Sequence, residues 1–191
     1  MKWRASPLSR NSGAAPEVSV EKWKIPSPIK VYEAIGAVGD GRVRAIDDAR
    51  ARAINHDAPP ARWEVVSSDA AKTYSVEISA DGRELSSNDN ASYWQGYLGY
   101  PAIAVLIARG TLPAGAEATR ALAGIPWKEL NRSFKNDYTR TTAEVARIVA
   151  ERGGDFEAIR AEAAAILEAL AALAPERGAR RRPPRERKAS H

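Results

Sequence analysis

The sequence predicts one α+β domain. A small antiparallel sheet of three or four strands carries a buried helix, an antiparallel helical hairpin follows, and flexible basic arms flank both ends. Three observations lead there. Thr73 to Ser79 alternates strictly, with Tyr74, Val76 and Ile78 against Ser75, Glu77 and Ser79, and the following Ala80-Asp81-Gly82 has hairpin-turn chemistry. Ala102 to Ala108 is a continuous apolar run. Phe156, Ile159, Ala163, Ile166, Leu170 and Leu173 recur at spacings of 3-4-3-4-3, the seam of an amphipathic helix.

Taken in order, residues 1–26 read as a loose arm that Trp3 and Trp23 pin to the body. Ser27-Pro28 has the chemistry of a helix start, Ser27 as N-cap and Pro28 in the first turn. A helix to about Val38 puts Tyr32, Ile35 and Val38 on one side, and Gly39-Asp40-Gly41 ends it. Strands follow at Arg42–Ile46, Arg62–Ser67, Thr73–Ser79 and Arg83–Ser87, with an Ala/Arg/Asp-rich connection over 47–61. Ala102–Arg109 reads as a buried helix stopped by Gly110 and Pro113. Pro126 to about Lys135 starts the next, with Trp127, Leu130 and Phe134 on one stripe. Thr141-Thr142-Ala143-Glu144 fits a capping box, so a helix runs from there to Arg152, with Val145 and Ile148 facing inward. Gly153-Gly154 breaks it, and Asp155 caps the last helix to about Ala174, before Pro175. The seam of that helix either packs within the chain or offers a face to a protein partner or a second copy.

The chain has 191 residues, 44% of them hydrophobic, no Cys and two His (His56 and His191). That is enough for a packed core, and it excludes a disulfide framework, a thiolate zinc site and a cysteine nucleophile. No signal-peptide pattern and no apolar run of spanning length is present, so a cytoplasmic protein without a membrane segment is expected. The net charge of +5 is uneven: residues 1–30 carry +4, residues 31–175 carry −4, and residues 176–191 carry +5. The last segment holds Arg177, Arg180, Arg181, Arg182, Arg185, Arg187 and Lys188, with two adjacent prolines and no apolar period. It reads as a disordered basic tail, either solubilising or contacting phosphates through counterion release.

Residues 74–108 read YSVEISADGRELSSNDNASYWQGYLGYPAIAVLIA. This order of strand, Gly turn, strand, polar turn and Pro-initiated helix resembles the frame of the SWIM zinc finger. In that family a hairpin delivers a Cys-x-Cys pair and a Cys-x-His element opens the next helix. The matching positions here are Ser87-Asn88-Asp89 and Ala102-Ile103-Ala104, after Pro101. None carries Cys or His, so the resemblance implies a metal-free derivative with no cofactor. The block also resembles a group of small uncharacterised archaeal proteins. On this reading the chain divides into the arm 1–26, a SWIM-like domain over 27–125, a helical hairpin over 126–175 and the tail 176–191.

Tyr93, Trp94, Tyr97 and Tyr100 then take the place of the metal. Either they fill a core, or, with the polar run Asn88, Asp89 and Asn90, they form a stacking platform. SWIM modules are associated with DNA, RNA or protein binding, which with the basic ends (Arg180, Arg181, Arg182, Arg185, Arg187 and Lys188) points to a nucleic-acid or nucleoprotein partner. The competing expectation is a protein-interaction or structural subunit using the aromatic block and the last helix. No nucleotide-binding, nucleophile-elbow or zinc-protease motif is present, and His56 sits in a polar loop, so an enzyme is not expected.

Overall fold

Tyr74, Val76 and Ile78 fall on one side of a strand, and a strand with one apolar side must cover it. In the computed structural model, which describes residues 21–46 and 60–184, the sheet is covered by the apolar run that follows it. The strands are β1 (Val43–Ala45), β2 (Ala61–Val66), β3 (Thr73–Ile78), β4 (Glu84–Ser87) and β5 (Glu176–Arg177), paired in that order. β1 to β4 are antiparallel neighbours, with Trp63 opposite Val76 and Ile78 opposite Leu85. The hairpin turn between β3 and β4 is tied by Asp81, which accepts from the Ser79 hydroxyl (2.5 Å) and the Arg83 N–H (3.1 Å).

The helices are α1 (Pro28–Gly39), α2 (Tyr100–Ala108), α3 (Ala116–Leu122), α4 (Trp127–Ser133), α5 (Tyr138–Glu151) and α6 (Phe156–Leu173). A single π-helical turn, Ala91–Gln95, sits between β4 and α2. The architecture is therefore α+β. α2, buried from Pro101 to Ile107, packs against β1 to β4 and against α1. α1 in turn packs against α2, α3 and α6, so it is buried nearly all round rather than on the single side that its sequence suggests. The close approach to α3 needs Gly39: a Cβ there would overlap the Thr119 carbonyl oxygen.

Three expectations change, and one open alternative closes. The sheet has five strands, because β5 adds to the edge, parallel to β4. α5 starts earlier than the capping box suggested. Asp137 is its N-cap and accepts from the N–H groups of Thr139 and Arg140, while Thr141 lies buried inside the helix, its hydroxyl donating to the Asp137 carbonyl. The buried stripe of α5 is Thr141, Val145 and Val149, with Ile148 beside it. Finally, the seam of α6 is not left open. Phe156, Ile159, Ala163, Ile166 and Leu170 are buried in the chain's own core, where α6 meets α1 as well as α5, and the Phe156 ring lies 5.3 Å from that of Tyr32.

The ends of the described chain lie against the body. Trp23, read as a pin, is buried and donates its indole N–H to the Leu85 carbonyl (3.1 Å). Its backbone N–H bonds the Pro175 carbonyl, and the next residue, Lys24, bonds the Gly96 carbonyl, so residues 21–25 are threaded beside β5 and the π-turn. Trp3, His56 and His191 lie outside the described residues. Among those described, no helix is long and apolar enough to cross a membrane.

Candidate functional site

The polar run after β4 folds around one carboxylate. Asp89 is 4% exposed. Its Oδ2 accepts from the Ser87 hydroxyl (2.7 Å) and the Ser92 hydroxyl (2.5 Å), and its Oδ1 from the N–H groups of Ala91 (2.9 Å) and Ser92 (3.1 Å). The Ser92 oxygen accepts in turn from Gly99 N–H at the start of α2. This knot joins β4, the π-turn and α2, and it fits only because residue 99 is glycine: a Cβ there would overlap the Asp89 carboxylate. Asn88 bonds backward, its Oδ1 accepting from Ser75 N–H of β3 (2.8 Å). Both residues do the turn-forming work typical of Asn and Asp in such positions.

The knot sends the four aromatics to different places. Tyr93 and Trp94 leave the π-turn edge to face, centroids 4.6 Å apart at 89°. Trp94 is 70% exposed, the most open of the large apolar residues among those described. Tyr97 is 38% exposed, with the Lys24 ammonium 5.5 Å from its ring centre, and Ile25, the residue after Lys24, is exposed as well. Tyr100 turns away into a pocket and meets Tyr74 edge to face at 5.9 Å. The expected single block of four is thus divided: Trp94 and Tyr97 stand exposed, Tyr93 packs against Trp94, and Tyr100 belongs elsewhere.

The expected tail over 176–191 is ordered at its start. β5 pairs with β4, and Gly178 N–H bonds the Leu85 carbonyl (2.8 Å). Arg177 pairs with Glu21 and lies over the Trp23 ring at 4.9 Å. Arg180 donates twice to the Tyr93 carbonyl (3.0 and 2.7 Å) and stacks over the Tyr93 ring at 4.3 Å. Arg181 pairs with Glu77 of β3. The physical reason is that a basic segment beside a sheet edge finds both carboxylates and aromatic faces, which its composition alone does not reveal. Arg182 is exposed, and Arg185, Arg187 and Lys188 lie outside the described residues.

A second feature is a pocket of about 470 Å³ between α1, the β2–β3 turn and α4. Asn90 and Tyr100 reach it from the polar block, but most of its chemistry was not singled out from the sequence. Glu33, 4% exposed, accepts from the Lys30 ammonium (3.0 Å) and from Asn131 Nδ2 (2.7 Å). Burial works against the Lys30 charge, but Glu33, joined by Tyr138, outweighs it and holds the lysine pKa above its ordinary value. Burial, with the neighbouring Tyr74, pushes the Tyr100 phenol well up, so it stays protonated as a donor. On the rim Lys128 pairs with Asp69 (2.6 Å). Burial alone would raise the Asp69 carboxyl, but bonds from Lys128, Ser67 and Ala71 N–H bring it down to about 2. Lys135 and Asn136 both take left-handed backbone (φ 52° and 62°) between α4 and α5, a costly conformation that sets them at the pocket edge. One signal was present in the sequence: Lys30 and Glu33 are charges on an otherwise apolar helix. Their partner Asn131 is 98 residues away and is brought in only by the fold.

Of the four positions matched to the SWIM ligands, Ser87 and Asp89 are hydrogen-bonded to each other, and Ala102 and Ala104 are fully buried in α2. Among the described residues no three His, Cys, Asp or Glu side chains group as a metal site. The family described as Uncharacterised conserved protein UCP014422 matches residues 23–176, and the chain belongs to it. The matched span runs from the buried Trp23 to the first residue of β5 and so includes the knot, the aromatic patch and the pocket. No curated protein and no solved structure gives a significant match.

Proposed function

We propose that this family member is a cytoplasmic, non-enzymatic binding module for single-stranded nucleic acid, free or within a nucleoprotein assembly. The observation that carries the reading is Trp94, 70% exposed on a turn that the Asp89 knot holds rigid. A large indole left in water forgoes burial worth about 1.5–3 kcal/mol, which points to a role outside the fold. Tyr93 packs perpendicular to the ring, and at this exposure the indole still offers a flat face for a base. Arg180 over Tyr93 and Lys24 over Tyr97 bring positive charge for the phosphates to the same turn.

Asp89 supports the non-enzymatic part, because both of its oxygens are committed to the turn. The SWIM-like frame belongs to the same proposal: the Ser87–Asp89 hydrogen bond would tie the two strand-end positions that a metal ties in that family. The competing reading, docking of a protein through the last helix, has less support because the seam of α6 is buried.

The test is a titration of single-stranded and duplex oligonucleotides over a range of salt. Binding of the single strand, with weaker binding of the duplex, is expected. Deleting residues 185–191 removes Arg185, Arg187 and Lys188. It should lower the slope of log affinity against log salt by about 2, from three phosphate contacts on a single strand. No binding of any single strand at low salt ends the proposal.

A further inference from the structure

We propose that the pocket between α1, the β2–β3 turn and α4 is a separate binding site for a small phosphorylated molecule. The first argument is charge. The body of the protein, residues 31–175, carries −4, yet the pocket is lined by five basic and two acidic side chains of that body, with Lys30 just before it as a sixth cation. A folded domain of net negative charge has gathered cations from four segments at one concavity. Both acidic groups are already committed, Glu33 to Lys30 and Asn131, and Asp89 to the serine knot. Three of the cations are paired as well, Lys30 with Glu33, Arg42 with Asp40 and Lys128 with Asp69, which leaves Arg132 and Lys135 as the cations a ligand would meet.

The second argument is unmet hydrogen bonding. Arg42 spends Nε on Asp40 (2.9 Å) and Nη1 on the Val66 carbonyl (2.7 Å). Its Nη2 is buried with no partner among the described residues, and so is the Oδ1 of Asn131. A buried donor on a cation and a buried acceptor, on residues that line the same pocket, are costly unless something fills them. Arg132 and Lys135 stand exposed at the rim with no ion-pair partner among the described residues.

The third argument is size and shape. A volume of about 470 Å³ lies inside the usual span for small-molecule sites and is far more than one oxyanion needs. The guanidinium of Arg42 and the ammonium of Lys135 suit the multiple oxygens of a phosphate. The Tyr100 phenol, Asn90 and Asn136 offer neutral hydrogen bonds to a hydroxyl-bearing remainder. A single surface cation would not make this case, but a half-open pocket beside a buried guanidinium nitrogen without a partner among the described residues does.

The test is calorimetric titration of the full chain with ribose 5-phosphate, with adenosine monophosphate, with inorganic phosphate and with ribose. Binding is expected for at least one of the two phosphate esters, more tightly than for inorganic phosphate, and none for ribose. Arg132→Ala and Lys135→Ala change exposed rim residues, so they should leave the thermal melt unchanged while each weakens binding about tenfold. Trp94→Ala should leave this binding intact. That separates the site from the aromatic patch, so either proposal can fail alone. The inference is overturned if neither phosphate ester binds at millimolar concentration, or if the rim variants bind like the wild type. It is also overturned if a saturating single-stranded oligonucleotide displaces the ester, since the pocket would then be part of the path of a strand.

Discussion

Replacing Asp89 with alanine is expected to lower the stability of the fold by about 3–5 kcal/mol. The carboxylate is 4% exposed and accepts four hydrogen bonds, two of them from serine hydroxyls that are themselves buried. Alanine leaves those donors without partners and removes the side-chain bonds that tie β4 to the π-turn, while the Ser92–Gly99 bond to the start of α2 remains. Asparagine keeps one acceptor oxygen but turns an N–H₂ group toward a hydroxyl, so Asp89→Asn should fall roughly midway, at about 2 kcal/mol. Urea denaturation of the three proteins measures both differences. A loss under 1 kcal/mol for the alanine variant would mean that apolar packing of α2, and not the knot, sets the turn.

The second large effect is at Gly99. Its substitution by alanine should cost about 3 kcal/mol, near the upper end for overpacking, because the added methyl meets the Asp89 carboxylate and that carboxylate is locked by four donors. The same geometry makes a sharper demand. Once Asp89 is alanine, the obstruction is gone, and Gly99→Ala should cost far less. The double variant is then expected to be more stable than the sum of the single losses implies, by about 1–3 kcal/mol, as neighbours in one network are. Strict additivity in the denaturation series would contradict the contact.

These two residues also show how far the sequence was readable. The turn chemistry of Asn88, Asp89 and Asn90 is local, so its structural role could be read from the residue types. Its consequence was not local. The knot decides which way Tyr93, Trp94, Tyr97 and Tyr100 leave the turn, and four aromatics close in sequence read as one block when they serve two surfaces. The strong periods behaved as periods should: Tyr74, Val76 and Ile78 lie in β3, and the 3-4-3-4-3 seam runs through α6 with Asp155 accepting from the N–H groups of Glu157 and Ala158. The α5 start was misplaced because Asp137 and Thr141 are both good caps one helical turn apart, and only burial of Thr141 decides between them. β5 has two residues and therefore no period at all; it exists because Arg83 and Leu85 at the sheet edge offer carbonyls to Glu176 and Gly178. The pocket was hidden for the same reason. Lys30, Arg42, Lys128 and Lys135 are unremarkable singly, and their meaning comes from convergence.

The charge reading moves with the structure. A body at −4 with basic ends suggested that any attraction for phosphate sits in removable termini. Arg177, Arg180 and Arg181 are instead tied to Glu21, Tyr93 and Glu77, and the body carries its own basic concavity. The proposed association with nucleic acid would then depend on the folded surface around Trp94, with residues 185–191 adding only a salt-dependent increment.

The direct measurement is fluorescence anisotropy of a labelled single-stranded oligonucleotide titrated with the full chain and with Trp94→Ala at several salt concentrations. The ring is exposed, so the variant should fold normally. The expected result is a loss of about 1–3 kcal/mol in affinity, roughly 5- to 150-fold, with the salt slope unchanged, because a stacked base is lost and no phosphate contact is. An affinity equal to that of the wild type would contradict the account.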